Sequence, residues 1–250
     1  MSRKVQIIGS YLSPYVRKVL VALELKGIAY EIDPIVAFHG DDRFSAASPL
    51  RRIPVLFDGD LTLCDSSVIC QYLEDVHPEP GLFPADVRDR ARARWIEEYA
   101  DTRLGDVLIW RLFNQRAIRP FVWGHPVDEK VVERTLSVDL PEVLDYLETF
   151  APADGFAFGG ALSIADVSVA AFFRNAAFVK VSIDAARWPK TAGWVERTWA
   201  TSPFETLWPF ERVCMRTPPL RHREALAQIG APLWPETHGT DQPREGIMPI

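Results

Sequence analysis

Three short segments in the first third of the chain combine a hydroxyl, an outward-facing backbone and a pair of charge-binding groups. They are Ser13-Pro14-Tyr15, Arg52-Ile53-Pro54-Val55 and Asp65-Ser66. Each segment lies where the sequence predicts that a strand meets a turn or that a helix begins. Together they offer what a small peptide with a thiol, an ammonium group and a carboxylate would need.

Ser13 precedes a predicted helix, where unpaired N–H groups and the positive end of the helix dipole favour an anion. A serine hydroxyl there can donate a hydrogen bond to a thiolate and lower the pKa of the thiol. The alternative is that Ser13 only caps the helix, which is a common use of serine. Position alone favours the capping role.

Pro54 stands at the start of a predicted inner strand, where a proline cannot donate to the hydrogen-bond ladder. A cis Ile53–Pro54 bond would turn the Ile53 backbone outward, so that its N–H and C=O could pair with an extended peptide. The alternative is an ordinary trans proline at the entry of the strand. The spacing alone does not decide between the two.

Asp65 and Ser66 precede a second predicted helix. A carboxylate ligand suits the first N–H groups of that helix and the Ser66 hydroxyl, while Asp65 could receive an ammonium group. An α-amino acid carries both charges close together. The alternative is that the pair only caps the helix, because aspartate and serine are common N-cap residues.

The first eighty residues alternate short apolar runs with amphipathic stripes, which predicts the order β-α-β followed by β-β-α. The predicted strands are Lys4–Gly9, Tyr30–Ile35, Ile53–Asp60 and Leu61–Leu63, and the predicted helices start near Pro14 and Ser66. A crossover helix between the first two strands predicts that they pair in parallel. Asp58-Gly59 predicts a hairpin turn between the last two.

The character of the chain changes after the linker Pro78-Glu79-Pro80-Gly81. Helical patterns then cover 86–115, 128–150, 163–177 and 188–199, and Ser163 with Asp166 resembles a capping box with Asp in place of Glu. The proline-rich tail from Pro218 predicts an extended or loosely ordered segment. We therefore predict domains over residues 1–80 and 86–215, the second all helical, and a C-terminal extension over 216–250.

The composition limits which binding partners and which cellular compartment are expected. The 250 residues carry a formal net charge of −6, and the arginines at 88, 90, 92 and 94 scatter around a helix, so no nucleic-acid partner is expected. The apolar run 5–8 is too short for a signal sequence or a membrane span. The odd number of cysteines, 3, favours a reducing compartment, and we expect a cytoplasmic protein. The 5 dispersed histidines indicate no metal site.

The combination of these segments resembles the glutathione transferase family. The stretch 13–19 resembles the start of serine-type members such as the tau and zeta classes and many bacterial proteins, and 48–56 resembles the family segment that ends in a cis-proline. Asp65-Ser66 matches the glutamyl-binding pair of the family, and 163–166 matches the capping box of its helical domain. The resemblance, from about residue 4 to 212, implies a thioredoxin-like α/β N-terminal domain, an all-α C-terminal domain and a homodimer.

The resemblance also implies roles for individual residues. Ser13 would stabilise the thiolate of bound glutathione, and the backbone of Ile53 would pair with its cysteinyl unit. Asp65 and Ser66 would hold the γ-glutamyl end, and Arg52 would face the glycyl carboxylate. Asp65 is one methylene shorter than the more common glutamate, which loosens the expected ammonium contact.

Two further features bear on the chemistry. Ser48 stands where the family usually has asparagine, which we interpret as a local turn change of little consequence. Thioredoxin-like relatives with disulfide chemistry carry a cysteine where this chain has Ser13, so a thioltransferase role is not expected. Cys64 and Cys70 fall in apolar contexts and are predicted to be core thiols.

The second substrate of this family binds over helices of the C-terminal domain, and the sequence identifies that site less clearly. The candidates are Tyr11, Trp110, Phe113, Arg174, Asn175 and Phe178. Tyr11 also competes with Ser13 as the donor to the thiol. Arg174 could contact an anionic group of the substrate, or it could pair with an acidic side chain, which is the favoured interpretation because a buried guanidinium needs a partner.

We therefore expect a detoxification enzyme that transfers glutathione to a small hydrophobic electrophile. No metal is expected to take part in the reaction. A glutathione-dependent isomerase, dehalogenase or peroxidase would use the same glutathione site. A non-catalytic protein of this fold, which binds a ligand or a partner, is the alternative from a different class, because fold alone does not fix function.

Overall fold

The structure, a computed structural model, describes residues 4–246. The predicted first domain and the predicted tail also include residues 1–3 and 247–250, which lie outside the described residues. The density of contacts divides the chain into two units. One unit holds the described residues up to Pro80 and those from Glu205 onward, and the other is Gly81–Phe204. We predicted a boundary at residue 215, whereas the contacts divide the chain between Phe204 and Glu205.

A four-stranded sheet forms the centre of the first unit. Its strands are β1 (Val5–Ile8), β2 (Tyr30–Asp33), β3 (Val55–Asp58) and β4 (Leu61–Cys64). Their spatial order is β2-β1-β3-β4, with β1 and β2 parallel and the other two pairs antiparallel. The predicted parallel pair and the predicted hairpin at Asp58-Gly59 are both confirmed, although β3 is shorter than expected.

The register of the sheet aligns four strand ends. Ile8 at the end of β1 pairs with Asp33 at the end of β2 and with Val55 at the start of β3. Val55 in turn pairs with Cys64 at the end of β4. Since antiparallel strands run in opposite directions, the chain leaves β1 and β4 and enters β3 at the same edge of the sheet.

The helices have the following bounds. They are α1 (Pro14–Leu25), α2 (Asp42–Ala47), α3 (Ser66–Val76), α4 (Val87–Tyr99), α5 (Glu129–Arg134), α6 (Leu140–Phe150), α7 (Ile164–Phe178), α8 (Pro189–Trp199), α9 (Ser202–Arg216) and α10 (His222–Gln228). A π-helical segment, Ala100–Trp123, continues α4, and a shorter one, Thr135–Asp139, joins α5 to α6. The helices predicted over 86–115 and 128–150 therefore each consist of consecutive helical segments.

α1 forms as the sequence predicts. Pro14 occupies its first turn, where the missing N–H costs nothing, and the Ser13 side chain caps it. Its apolar stripe, which includes Val16, Leu20 and Leu23, is fully buried. The helix therefore covers the sheet and fixes the position of its own first residues.

A buried ion pair joins α9 to α1 inside the first unit. The Arg17 guanidinium bonds the Glu211 carboxylate, and the two side chains are 0% and 1% exposed. Arg17 also donates to the carbonyl oxygen of Tyr11 at 3.1 Å, and the Tyr11 ring lies 5.1 Å from the Phe210 ring. Breaking such a pair would leave a buried charge without compensation, so these contacts commit α9 to this unit.

The tail is more ordered than its proline content predicts. It contains α10, and Leu233 forms a parallel bridge with Ile32 on the outer strand β2. Arg223 also forms an ion pair with Asp33, which is fully buried. Of the two alternatives predicted for the tail, these contacts favour an extended segment. They join residues about two hundred positions apart in sequence, where local patterns carry no information.

The second unit is helical, with α7 almost completely buried at its centre. The predicted capping box is present, with Asp166 as its acidic member. The fully buried Asp166 carboxylate accepts from Ser163 N–H (2.8 Å), Ser163 Oγ (2.6 Å), Ala157 N–H (2.7 Å) and Trp194 Nε1 (2.6 Å). One carboxylate thus joins the start of α7 to a loop and to α8.

Asp166→Asn should destabilise the protein by about 2–3 kcal/mol, because the amide nitrogen would face donors that now bond a carboxylate. Urea unfolding followed by circular dichroism measures this. Asp154→Asn is the matched control, since Asp154 is exposed, and its effect should stay within about 0.5 kcal/mol. Equal stability of both variants would contradict the role given to Asp166.

Candidate functional site

The three segments singled out in the sequence meet at one edge of the sheet. Ser13 follows β1, the Ile53–Pro54 bond precedes β3, and Asp65 follows β4. The register places the ends of these strands side by side, at Ile8, Val55 and Cys64. The sheet therefore brings together groups that lie up to 52 residues apart in the sequence.

Ser13 is half-buried at the N-terminus of α1. Its Oγ accepts a hydrogen bond from the N–H of Val16 at 3.3 Å, which is the capping bond. A hydroxyl that accepts one bond still has a proton to donate. No acceptor for that proton is found in residues 4–246. Capping and donation to a ligand are therefore compatible roles for Ser13, rather than alternatives.

The Ile53–Pro54 peptide bond is cis, as the resemblance implied. The Ile53 side chain packs against the buried cluster of Ile8, Phe44 and Val55. Within the described part of the chain, neither the N–H nor the C=O of Ile53 has a hydrogen-bond partner. This backbone is thus available to an extended peptide, as a strand edge would be.

Ser48 has a larger role than the sequence indicated. Its side chain is almost fully buried, and its Oγ donates to the carbonyl oxygen of Arg52 at 2.9 Å. The Ser48 Oγ also accepts a hydrogen bond from the Arg52 N–H at 3.0 Å. Our interpretation of Ser48 as a change of little consequence was wrong, because this hydroxyl fixes the backbone immediately before Ile53.

Asp65 has an unusual backbone conformation. Its φ is +80°, a region that residues other than glycine adopt rarely and that aspartate tolerates better than most. Its Oδ1 accepts from the N–H groups of Ser67 (2.9 Å) and Val68 (3.2 Å). The residue is exposed, and across the described residues its Oδ2 has no hydrogen-bond partner. One carboxylate oxygen thus caps α3 while the other faces outward, able to meet a cation.

Ser66 begins α3, and it is 3% exposed. The first N–H of a helix has no partner inside the helix, and none is found for Ser66 elsewhere in the described chain. The buried Lys18 of α1 donates to the hydroxyl of the neighbouring Ser67 at 3.0 Å. Two helix N-termini therefore lie at this sheet edge, an environment that favours a carboxylate.

Tyr11 lies in a buried position of the first unit. It is 1% exposed, and its phenol lies near Tyr30, Glu24 and Cys214. Burial raises the pKa of the Tyr11 phenol far above its ordinary value. The two roles predicted for Tyr11, as donor to the thiol and as a contact of the electrophile, stay predictions beside the role of Ser13.

The other candidates for the electrophile site lie in the second unit. Trp110 is half-buried, and Phe113 is buried, on the segment that continues α4. Arg174 of α7 is 9% exposed, and its guanidinium carbon lies 4.5 Å from the centre of the Trp199 ring. Asn175 is buried beside it, and Phe178 is half-buried. Their role in binding a second substrate stays a prediction.

Lys18 and Ser48 are the site residues that sequence reasoning missed or undervalued. Lys18 stands among apolar helix positions. That was only a weak indication of a buried site residue, because a charged residue in such a place is more often exposed. One of its partners, Ser67, lies 49 residues away in sequence.

Two classes of feature are absent from residues 4–246. No helix there is long and apolar enough to cross a membrane. No cluster of three or more histidine, cysteine, aspartate or glutamate side chains that could hold a metal ion occurs in the same range.

Comparison with known families and structures gives a consistent result. A model of the glutathione S-transferase N-terminal domain matches residues 7–81, and a model of the C-terminal domain of the same family matches residues 130–197. A glutathione S-transferase from Rhodospirillum rubrum F11 superposes with a TM-score of 0.77 at 24% identity, over 88% of this chain and 99% of that chain. This likeness concerns the fold.

Two curated relatives illustrate the range of sequence similarity. The probable glutathione S-transferase GSTF2 of Oryza sativa subsp. japonica is 33% identical over 166 residues, which is 65% of this chain and 76% of that protein. Glutathione S-transferase U13 of Arabidopsis thaliana is 36% identical over 103 residues, or 40% of this chain. That second match spans 45% of the relative, less than half of its length.

The thiols of the folded protein should be poorly reactive. Cys70 is buried, burial raises the pKa of Cys64, and burial raises the pKa of Cys214 to about 12. A thiol reagent such as DTNB should modify them at pH 7 at least about tenfold more slowly than a peptide thiol, because the thiolate is the nucleophile. The same protein in urea is the control. A fast-reacting thiol in the folded protein would contradict this account.

Proposed function

Since the chain belongs to the glutathione S-transferase family, we propose that it binds glutathione at the sheet edge and transfers it to a small hydrophobic electrophile. One observation carries the proposal. Ser13, the unpaired backbone of Ile53 and the Asp65-Ser66 pair lie at the sheet edge where β1 and β4 end and β3 begins. These groups match, one by one, the thiol, the cysteinyl backbone and the amino-acid end of glutathione.

The proposed binding contacts follow from the groups that lie at this edge. The N–H and C=O of Ile53 pair with the cysteinyl unit as an added strand would. The γ-glutamyl carboxylate accepts from the N–H and the hydroxyl of Ser66, and its ammonium group meets Oδ2 of Asp65. Arg52, which is exposed, faces the glycyl carboxylate.

The chemistry depends on the thiolate. The Ser13 hydroxyl donates a hydrogen bond to the sulfur and so favours the charged form, which lowers the pKa of the thiol. The dipole of α1 acts in the same direction. The thiolate then forms a carbon–sulfur bond with the electrophile, whose displaced electron pair leaves with a leaving group or takes up a proton. The protein supplies binding, orientation and one hydrogen bond.

The proposal also covers the second substrate, the oligomeric state and the cellular compartment. Trp110, Phe113 and Arg174 are the proposed contacts for the electrophile, which is hydrophobic because most of its proposed contacts are apolar. We also propose a cytoplasmic homodimer that binds neither nucleic acid nor membranes. No metal takes part in the proposed reaction.

Ser13→Ala should raise the pKa of the bound glutathione thiol by about one unit, since a hydrogen bond to a charged group contributes about 1.5 kcal/mol. At a pH at least one unit below both thiol pKa values, kcat/KM for a model electrophile should fall about tenfold, because the thiolate fraction falls by that factor there. Thiolate absorbance against pH and the pH–rate profile measure the two effects.

Ser13→Thr is the matched control, because it keeps a hydroxyl and a capping oxygen. Its thiol pKa should stay close to that of the wild-type complex. Unchanged turnover in Ser13→Ala would contradict the assignment of the donor. Glutathione binding without turnover of any electrophile would favour the non-catalytic alternative.

Asp65→Asn should weaken glutathione binding about tenfold, because it removes the charge that meets the ammonium group but keeps an oxygen to cap α3. Isothermal titration calorimetry measures the affinity. Asp75→Asn, at the exposed far end of the same helix, is the control and should bind as the wild type does. A glutathione analogue without the amino group should bind Asp65→Asn and wild type equally; a remaining difference would contradict the ammonium contact.

A further inference from the structure

The C-terminal segment 232–244, which we call the strap, extends the sheet beyond β2. The N–H of Ile32 donates to the carbonyl oxygen of Pro232 at 2.8 Å. The N–H of Trp234 donates to the carbonyl oxygen of Ile32 at 2.9 Å. β2 is the outer strand of the sheet, and an outer strand normally leaves these groups unpaired. The strap therefore pairs part of an edge that would otherwise be open.

A buried carboxylate anchors the strap. Asp33 is fully buried at the end of β2, and its Oδ1 accepts from Arg223 at 3.1 Å. Its Oδ2 accepts from the N–H of His238 at 2.6 Å. The ring of Trp234 lies 5.5 Å from that of Phe57 on β3. Arg223 of α10 thus holds one oxygen and the strap holds the other, so releasing the strap would leave the buried Oδ2 without the N–H of His238.

The strap then crosses the connection between β2 and α2. The backbones of 238–240 and 39–41 pair in antiparallel fashion through two hydrogen bonds of 2.7 Å, with Gly239 opposite Gly40. A Cβ at position 40 would lie 2.0 Å from the ring of the buried Phe44, so only glycine fits there. This close approach requires Gly40, and the strap holds it in place.

Arg51 connects Gly40 to the glutathione site. Its Nη2 donates to the carbonyl oxygen of Gly40 at 3.0 Å, and its guanidinium also bonds the hydroxyl of Ser45. The backbone of Arg51 has a φ of +50°, in the left-handed region that a side chain such as arginine rarely adopts. The next residues along the chain are Arg52 and Ile53. Side-chain contacts to Gly40 and Ser45 thus hold an unfavourable conformation immediately before the ligand-binding backbone.

The strap also reaches the site through the core. Trp234 packs against the buried cluster of Ile8, Phe44 and Val55, and the side chain of Ile53 packs against the same cluster. The strap and the ligand-binding residue therefore share one set of apolar neighbours.

We propose that the strap is a positioning element of the glutathione site. It holds Gly40, Gly40 holds Arg51, and Arg51 with Ser48 sets the backbone of Arg52 and Ile53. The strap does not contact the ligand in this account. The inference rests on the proposed function, because it assigns the strap to the site that the proposed function uses.

Gly239→Val tests the strap, because a Cβ at position 239 would lie 3.0 Å from Cγ2 of Ile35 and a larger side chain would separate the paired backbones. The Kd for glutathione should rise about tenfold, which corresponds to about 1.4 kcal/mol. KM for glutathione should rise with little change in kcat, because Ser13 is untouched. Gly160→Val is the matched control, since nothing lies within 4 Å of a Cβ there, and it should bind glutathione as the wild type does.

Hydrogen–deuterium exchange gives a readout that needs no ligand. The N–H groups of Arg51 and Arg52 bond to Ser48, at 2.8 Å and 3.0 Å. They should exchange faster in Gly239→Val, while amides of α3 should not change. If Gly239→Val does not fold, Gly239→Ala replaces it, with the same tests.

Arg51→Met tests the connection itself. It should raise the Kd for glutathione to a similar extent as Gly239→Val, and the double variant should bind no more weakly than Arg51→Met alone, since both changes act through one path. Additive losses would overturn the route through Arg51.

The outcomes separate the two proposals. A lower melting temperature of Gly239→Val with unchanged Kd and unchanged exchange at Arg51 and Arg52 would overturn the positioning role. Faster exchange at these amides with unchanged Kd would overturn it as well. Absence of glutathione binding by the wild type would contradict the proposed function, and the exchange experiment would still decide whether the strap orders this backbone.

Discussion

The pairing of Ile8 with Val55, and of Val55 with Cys64, determines where every proposed ligand contact lies. Each of the three segments is short and has an ordinary explanation of its own, as a cap or as a strand entry. The register places them at one sheet edge, and it is strict because a shift of one residue would turn the buried side chains of β3 to the opposite face of the sheet. The core therefore fixes the register, and the register fixes the site.

Buried charged groups complete the arrangement at three points. Arg17 and Glu211 join α9 to α1, Asp33 anchors the tail, and Asp166 organises the start of α7. Such groups add little net stability relative to apolar residues of the same size, but an alternative arrangement would leave them without partners. Their effect is therefore to select one arrangement within each unit.

The sequence was informative wherever structure depends on neighbours in the chain. The helix that follows Pro14, the Asp58-Gly59 hairpin and the capping box at Ser163 were all predicted, since each follows from local spacing. The family resemblance supplied the fold and the cis bond before Pro54, and the structure and the comparisons confirm both.

The sequence was less informative where a residue depends on a distant partner. The contact of Tyr11 with Phe210 and the anchoring of the tail at Asp33 join residues that no periodic pattern connects. The left-handed conformation of Asp65 was missed for a related reason. It arises where β4 turns into α3, and the sequence there reads as an ordinary cap.

The central claim is that one sheet edge binds glutathione, and amide chemical shifts during a glutathione titration test it most directly. We expect shifts at the start of α1, at Ile53 and at the start of α3, with one common dissociation constant. Shifts confined to other parts of the chain, or no shifts at millimolar glutathione, would contradict it.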